Sequence, residues 1–355
     1  MVFSTLIVSL EILGQLGYFI KNGEFLPLKT ETVHKRIFEL HPFLVGRLKT
    51  SVKVEKNKKT ITIPNNHTRW TGAKQDDHNL VRIAILGGST VFGSGVTDEE
   101  SWPALLQAML GKKYAVINYG VPGYSTAENI IQMALIVPEK RPDIVIYYEG
   151  WNDIRNYHEK NIGADYYGHG MRQYGNLGIS VFDQQTMYES LKEIFATVWL
   201  ADRIMKVIGN SQKQTKNTLE IFDIPDQYVD RIYIRNLNTL KLLAENIDAF
   251  AVFVPQVLNY KSYYGKEGSR EWTRHIKDEV MPILMDKFND HMNGVCSQEE
   301  HTCVVLSEVI EEKWLPGDFV DDGHFSKDGG LKFAEIVAQF IRSKSSNQVS
   351  GSVNQ

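Results

Sequence analysis

The sequence predicts an α/β protein, a three-layer α/β/α sandwich built around a parallel sheet. Three observations carry that prediction. Short, largely apolar runs recur at 81–86, 114–118, 143–148, 249–254 and 302–306. A strand that is apolar on both faces must be covered on both faces, the situation of a parallel strand between two helical layers. Stretches with helical spacing separate the runs, for example 102–110 and 127–137. Clusters rich in Gly, Asn and Asp follow the first three runs, where open α/β sheets place their sites, beyond the carboxyl ends of the strands. Composition agrees. The 355 residues are 43% hydrophobic and 23% charged, which excludes collagen-like, mucin-like and largely disordered chains. Two cysteines cannot staple a chain of this length. A net charge of −4 gives no general attraction to nucleic acid or anionic lipid.

Taken in order, residues 2–20 (VFSTLIVSLEILGQLGYFI) are apolar enough and long enough for a helix that could cross a bilayer core of ~30 Å. Against spanning stand four diluting polar residues, Ser4, Thr5, Ser9 and Gln15, and a central Glu11, costly in lipid. No Lys or Arg precedes the run, so a signal-peptide basic region is missing. Residues 1–22 are therefore expected to be a helix, either a membrane anchor or signal, or an amphipathic helix packed on the protein or on a membrane surface. Residues 23–79 form a polar extension with one alternating strand, TITI at 60–63. The core runs from 80 to 342: strand, helix, strand, helix and strand to 148, then an insertion at about 154–226. A helix at 227–246, a strand at 249–254, a helix at 279–289, a strand at 302–306 and a helix at 330–341 complete it. A second interruption lies at 256–274. The Ser/Asn/Gln-rich tail 343–355 is expected to be disordered.

Four clusters carry candidate chemistry. The first strand ends in Gly87-Gly88-Ser89-Thr90, where glycines permit a tight turn and leave Ser89 accessible. Ser89 or Thr90 could equally do no more than cap the next helix. A phosphate loop is disfavoured, because GGSTVFGSG lacks the Lys-Ser/Thr pair and the dinucleotide glycine spacing. The second strand ends in Asn118-Tyr119-Gly120-Val121-Pro122-Gly123 and the third in Gly150-Trp151-Asn152-Asp153. An Asn amide and a Gly backbone N–H are suitable oxyanion donors, although both are also ordinary turn residues. Asp321 and His324 are three apart on a late loop, a spacing that lets a carboxylate orient an imidazole. Each cluster is weak alone. Together they fall on one predicted rim of one sheet.

With these blocks the sequence resembles the SGNH hydrolases of the broader GDSL esterase/lipase superfamily, over about 80–342. The resemblance implies a flavodoxin-like sheet, Ser89 as nucleophile, His324 as base and Asp321 as its orienting carboxylate. It also implies an oxyanion hole from the Ser89 N–H, the Gly123 N–H and the Asn152 side chain, with Gly120 as a competing donor. Gly88 stands where many members carry Asp, and Thr90 where they carry Leu. This variant is similar to members with an N-terminal membrane segment, and His41-Pro42-Phe43-Leu44-Val45-Gly46 is loosely similar to their entry region. The expected activity is hydrolysis of small acyl esters, O-acetyl on a carbohydrate foremost, through an acyl-serine and without metal or cofactor. Rivals are an O-acyltransferase to a sugar hydroxyl, a lipid esterase, and a catalytically silent carbohydrate-binding protein.

The interrupting segments hold Tyr157, Tyr166, Tyr167, Tyr174, Tyr260, Tyr263, Tyr264 and Trp272, which could line a sugar cleft or form a satellite core. Residues 191–208 have helical periodicity and suit a lid or partner surface. His158 and His169 lack the spacing of a metal site. Cys296 and Cys303 could close a disulfide over a short polar loop, which would support an extracytoplasmic location. No nucleic-acid partner is expected, and membrane association would come through residues 2–20.

Overall fold

The structure is a computed structural model and describes residues 2–28, 36–44, 46–75, 77, 79–155, 163–165, 191–192, 194–214, 227–264, 276–296 and 302–351. Its centre is a five-stranded parallel sheet of β5 (Val81–Gly87), β6 (Tyr114–Asn118), β7 (Ile144–Tyr148), β8 (Phe250–Phe253) and β9 (Cys303–Val305). The spatial order is β6-β5-β7-β8-β9. Within this sheet that is second, first, third, fourth, fifth, the flavodoxin-like order, with its switch point between β5 and β7. The apolar runs form these strands because each alternates between two helical layers. Ile83, Ile85, Ile146, Tyr148, Val252 and Val254 face one side, against Trp102, Leu106, Phe333 and Val337. These partners come from α3 (Trp102–Leu110) and α10 (Lys327–Gly351). Ala84, Leu86, Val145, Tyr147, Ala251 and Phe253 face the other side, against Met133, Tyr233, Leu237, Leu284 and Phe288. That layer is α4 (Thr126–Leu135), α7 (Gln227–Glu245) and α8 (Met281–Asn293). The short helices α2 (Ser89–Phe92), α5 (Trp151–Arg155) and α9 (Glu308–Glu311) follow β5, β7 and β9.

The polar extension is built into this core. A small antiparallel pair, β1 (Phe38–Glu39) and β2 (Arg47–Leu48), precedes the hairpin of β3 (Val52–Lys56) and β4 (Lys59–Ile63). Val54 and Ile63 from the hairpin are buried with Phe92, Val121 and Tyr124, residues next to the first two blocks. Arg69 is fully buried. Its guanidinium donates to the carbonyls of Phe92 (2.5 Å), Gly93 (2.6 Å) and Val96 (2.9 Å) and pairs with Asp98 at 3.2 Å. The carbonyls at the end of a helix have no intrahelical donor. Arg69 supplies one at the end of α2, so the extension braces the helix that begins with Ser89.

At the N-terminus, α1 (Val2–Asn22) lies against α6 (Ala196–Gln214). Glu11, the odd charge of the apolar run, accepts from the Ala196 N–H (2.6 Å), the Thr197 N–H (3.0 Å) and the Thr197 hydroxyl (2.7 Å). It therefore caps the positive end of α6. Burial would raise its carboxyl, but these bonds and one from Gln15 hold it below the ordinary value. Tyr18, Leu26 and Ala196 form the small buried seam with Trp199. Thus the 191–208 periodicity is that of a helix packed on α1. Among the described residues, no helix is long and apolar enough to cross a membrane.

At the other end α10 continues to Gly351, into the segment whose composition reads as a tail; extension of an existing helix carries no nucleation cost. Residues 352–355 lie outside the described residues. Cys296 and Cys303 are joined as a disulfide, with Cα atoms 5.7 Å apart.

Candidate active site

The site lies beyond the carboxyl ends of β5 and β7, at the switch point where the chain leaves the sheet in opposite directions. Ser89 is the first residue of α2, half-buried, on the turn that follows β5. The late loop brings His324 to it across the sheet end. His324 Nε2 is 2.7 Å from Ser89 Oγ, and Nδ1 is 2.6 Å from Asp321 Oδ2. The second Asp321 oxygen accepts the N–H groups of Gly323 (3.0 Å) and His324 (2.9 Å). Burial pushes the Asp321 carboxyl up, but the hydrogen bonds and charge of His324, with these two amides, outweigh it and bring the group down to about 2. It is therefore a carboxylate at neutral pH. The loop is anchored on both sides of His324. Val320 N–H donates to the His324 carbonyl at 2.8 Å, Phe319 bridges Phe325, and the Phe325 ring is buried against Phe333 and Tyr148. Asn259, from the segment after β8, donates its backbone N–H to the Asp322 carbonyl at 2.9 Å.

Asn152 sits in the first turn of α5 and is 7% exposed. Its Nδ2 donates to the Tyr124 carbonyl at 2.6 Å, which fixes the amide plane and leaves its second hydrogen for another acceptor. Two further α5 residues grip the same loop. The Asp153 carboxylate accepts from the Thr126 hydroxyl at 2.6 Å, and Arg155 Nη2 reaches the Gly123 carbonyl at 3.4 Å. The loop that presents Gly123 is thereby pinned to the helix that presents Asn152. Gly123 has φ +92°, a left-handed conformation that favours glycine. The two candidate glycines separate clearly. Gly120 donates its N–H to the Asn118 side chain at 2.9 Å, whereas Gly123 lines the cavity.

That cavity has a volume of about 360 Å³. Ser89, Gly123, Asn152, Asp321 and His324 all line it, so the structure gathers every predicted site residue in one place. Tyr148 and Trp151 supply its rings. Of the aromatic residues that could line a sugar cleft or form a satellite core, the three described ones, Tyr260, Tyr263 and Tyr264, are not in this lining. Tyr263 is fully buried against Trp151, Tyr260 hydrogen-bonds Asp286 at 2.7 Å, and Tyr264 is exposed away from the lining. Burial of apolar surface, the strongest local driving force, takes Tyr263 into the core. Tyr157, Tyr166, Tyr167, Tyr174, Trp272, His158 and His169 lie outside the described residues.

Sequence reasoning missed three lining residues. Gln256 accepts the Trp151 N–H at 2.6 Å and donates to the Thr90 hydroxyl at 3.3 Å, and its own backbone is held by Asn289. One amide thus ties the Ser89 turn to the Asn152 helix. A single Gln after an apolar run carries no signal for this. Glu149 is fully buried at the end of β7 and accepts from Asn129. Burial, then the nearby Asp153 and Glu128, push its carboxyl well above the ordinary range. A charged residue closing an apolar strand was the available clue. Arg155, three residues after Asn152, is the third.

Residues 85–252 match the GDSL-like lipase/acylhydrolase family. Several solved structures are similar at low identity. TesA is 16% identical, covering 72% of this chain and 95% of its own, with a TM-score of 0.40. A GDSL-like lipase from Bacteroides thetaiotaomicron VPI-5482 is 13% identical over 76% of this chain and 92% of that one, TM-score 0.41. A catalytic mutant of an acetylxylan esterase from Geobacillus stearothermophilus is 12% identical over 73% and 92%, TM-score 0.40. No curated protein matches the chain.

Proposed function

The chain carries a domain of the GDSL-like lipase/acylhydrolase family, which makes it an ester hydrolase by family, and from that premise we propose that it is a serine esterase removing small acyl groups, O-acetyl foremost, from a carbohydrate. The observation that carries the reading is the unbroken chain of contacts from Ser89 Oγ to His324 Nε2 (2.7 Å) and from Nδ1 to Asp321 (2.6 Å), in the lining of a cavity. His324 takes the hydroxyl proton as Ser89 Oγ attacks the ester carbonyl. The oxyanion is held by the Ser89 and Gly123 N–H groups and the Asn152 amide. The imidazolium then protonates the leaving alkoxide, and the alcohol departs. Water, deprotonated by His324, attacks the acyl-serine and releases the acid, restoring Ser89. The small volume supports a short acyl group, and Arg155 and Asp322, polar groups in a mostly apolar lining, support an alcohol that carries hydroxyls.

A fluorophosphonate, followed by peptide mapping, tests the reading. Modification at Ser89 is expected, absent in Ser89→Ala and much reduced in His324→Ala. Folded protein that fails to label would refute it. Incubation with an acetylated sugar then reads free acetate against acetylated acceptor, which separates hydrolysis from transfer.

The α1–α6 pair is proposed to rest on a lipid surface, in an oxidising compartment that the Cys296–Cys303 disulfide supports. Leu6, Val8, Ile12, Leu13 and Ile20 of α1 are exposed, while its carboxylate is turned inward onto α6. Wild-type protein should float with vesicles of neutral phospholipid, and Leu13→Asp/Ile20→Asp should stay behind. Equal partitioning of the two would dismiss the idea.

A further inference from the structure

Gly88 precedes Ser89 in a backbone conformation, φ −84° and ψ −148°, whose φ does not call for glycine. The reason for a glycine here is space. A Cβ at this position would overlap Asn152 Nδ2 and stand 3.1 Å from the Tyr124 carbonyl oxygen. Asn152 is packed into that volume because its amide also donates to the same Tyr124 oxygen. The hard overlap is with the free end of a side chain, not with backbone. A side chain at 88 would therefore displace the Asn152 amide while leaving the fold in place.

We propose that Gly88 is a positioning residue: its missing side chain is what lets the Asn152 amide reach the oxyanion position beside Ser89. The inference rests on the reading of Asn152 as an oxyanion donor. It has a counterintuitive corollary. Replacing Gly88 by Asp, the residue that many of the resembling hydrolases carry, is expected to disable this chain rather than improve it. The substitution restores a more common motif but removes the space that this Asn152 uses.

The test is a double-mutant cycle on the full-length protein with wild type, Gly88→Ala, Asn152→Ala and the double variant, assayed on p-nitrophenyl acetate. Loss of one oxyanion donor costs ~10²–10³ in kcat, and Gly88→Ala should lose a similar factor with KM nearly unchanged. The urea midpoint of Gly88→Ala should fall no further than that of Asn152→Ala, since each loses the same bond to the Tyr124 carbonyl. Because both substitutions remove one interaction, the double variant should be no slower than the slower single, not slower by the ~10⁴–10⁶ that independent effects would multiply to. A Gly88→Ala enzyme within about twofold of wild type, or losses that multiply, would overturn the proposal. A second readout does not depend on activity. The Asn152 side-chain NH₂ resonances, assigned by their absence in Asn152→Ala, should move in Gly88→Ala. If Ser89→Ala hydrolyses the ester as fast as wild type, the esterase reading fails, and these resonances still decide whether Gly88 places the amide. Unmoved resonances would refute the positioning role on their own.

Discussion

Replacing Asp321 by Asn is the sharpest probe of the Ser89–His324 pair. One Asp321 oxygen accepts two backbone amides, from Gly323 and His324 at 3.0 and 2.9 Å, and the other accepts His324 Nδ1–H at 2.6 Å. In Asp321→Asn the amide oxygen keeps the two backbone donors, because only an acceptor fits there. The NH₂ group then faces Nδ1. A donor opposite Nδ1 moves the ring proton to Nε2, where the imidazole points an N–H at Ser89 Oγ, 2.7 Å away, and cannot take its proton. Such a tautomer reversal is worth ~10⁴ in kcat, or about 5.5 kcal/mol of barrier. Stability should change far less. Lowering the carboxyl from 3.8 to about 2 would be linked to ~2.5 kcal/mol in a shielded site. The Asp321 side chain is 51% exposed, so solvent screening cuts this to about 1 kcal/mol. The sign follows from the depressed value. The contribution is complete above the unfolded carboxyl pKa near 3.8 and is lost as pH falls from there toward about 2. Urea midpoints of the two proteins should differ by a constant amount at neutral pH and converge below pH ~4. Turnover of p-nitrophenyl acetate from pH 5 to 9, with urea unfolding on the same preparations, reads both quantities. A variant that keeps more than a tenth of wild-type turnover would refute the orienting role of Asp321.

Arg69→Met removes the donor at the end of α2 and strands Asp98 in the core, so the urea midpoint should fall by the equivalent of ~3–5 kcal/mol. Arg69→Met/Asp98→Leu should recover part of it, and a loss under ~1 kcal/mol would show that the extension does not brace the nucleophile helix. Gln256→Leu breaks the link between Thr90 and the Trp151 N–H, a small misplacement expected to cost up to ~10² in kcat. Gln256→Glu keeps the acceptor for Trp151 and should recover most of that activity; equal kinetics for Gln256→Leu and wild type would remove Gln256 from the positioning role.

The core strands and helices were legible because burial enforces periodicity. Helix 102–110 and strand 114–118 fall where the pattern put them, and β5 ends at Gly87, one residue beyond its predicted apolar run. Helix ends were less legible. α10 runs on to Gly351 through residues whose composition reads as tail, because adding a residue to an existing helix carries no nucleation cost. The extension 23–79 reads as polar decoration, yet Arg69 and Ile63 belong to the core around α2. Their importance is invisible in sequence because a buried arginine is defined by its acceptors, and those acceptors lie 23 to 29 residues away in the chain.

The sequence by itself determined the layer architecture and the chemical inventory of the site: a serine after the first core strand, an asparagine after the third, and an Asp-x-x-His pair before the last helix. These are local facts, set by side-chain periodicity and by turn chemistry. Only the tertiary structure decided how they meet. His324 reaches Ser89 across 235 positions of chain, Gly123 and not Gly120 lines the cavity, and Asn152 fills the space that Gly88 leaves open. Glu11, an anomaly in an apolar helix, became the cap of a helix that begins 185 residues later. Each of these is a contact between distant segments, and a hydrogen bond or an excluded volume acts through space, which a linear pattern does not record.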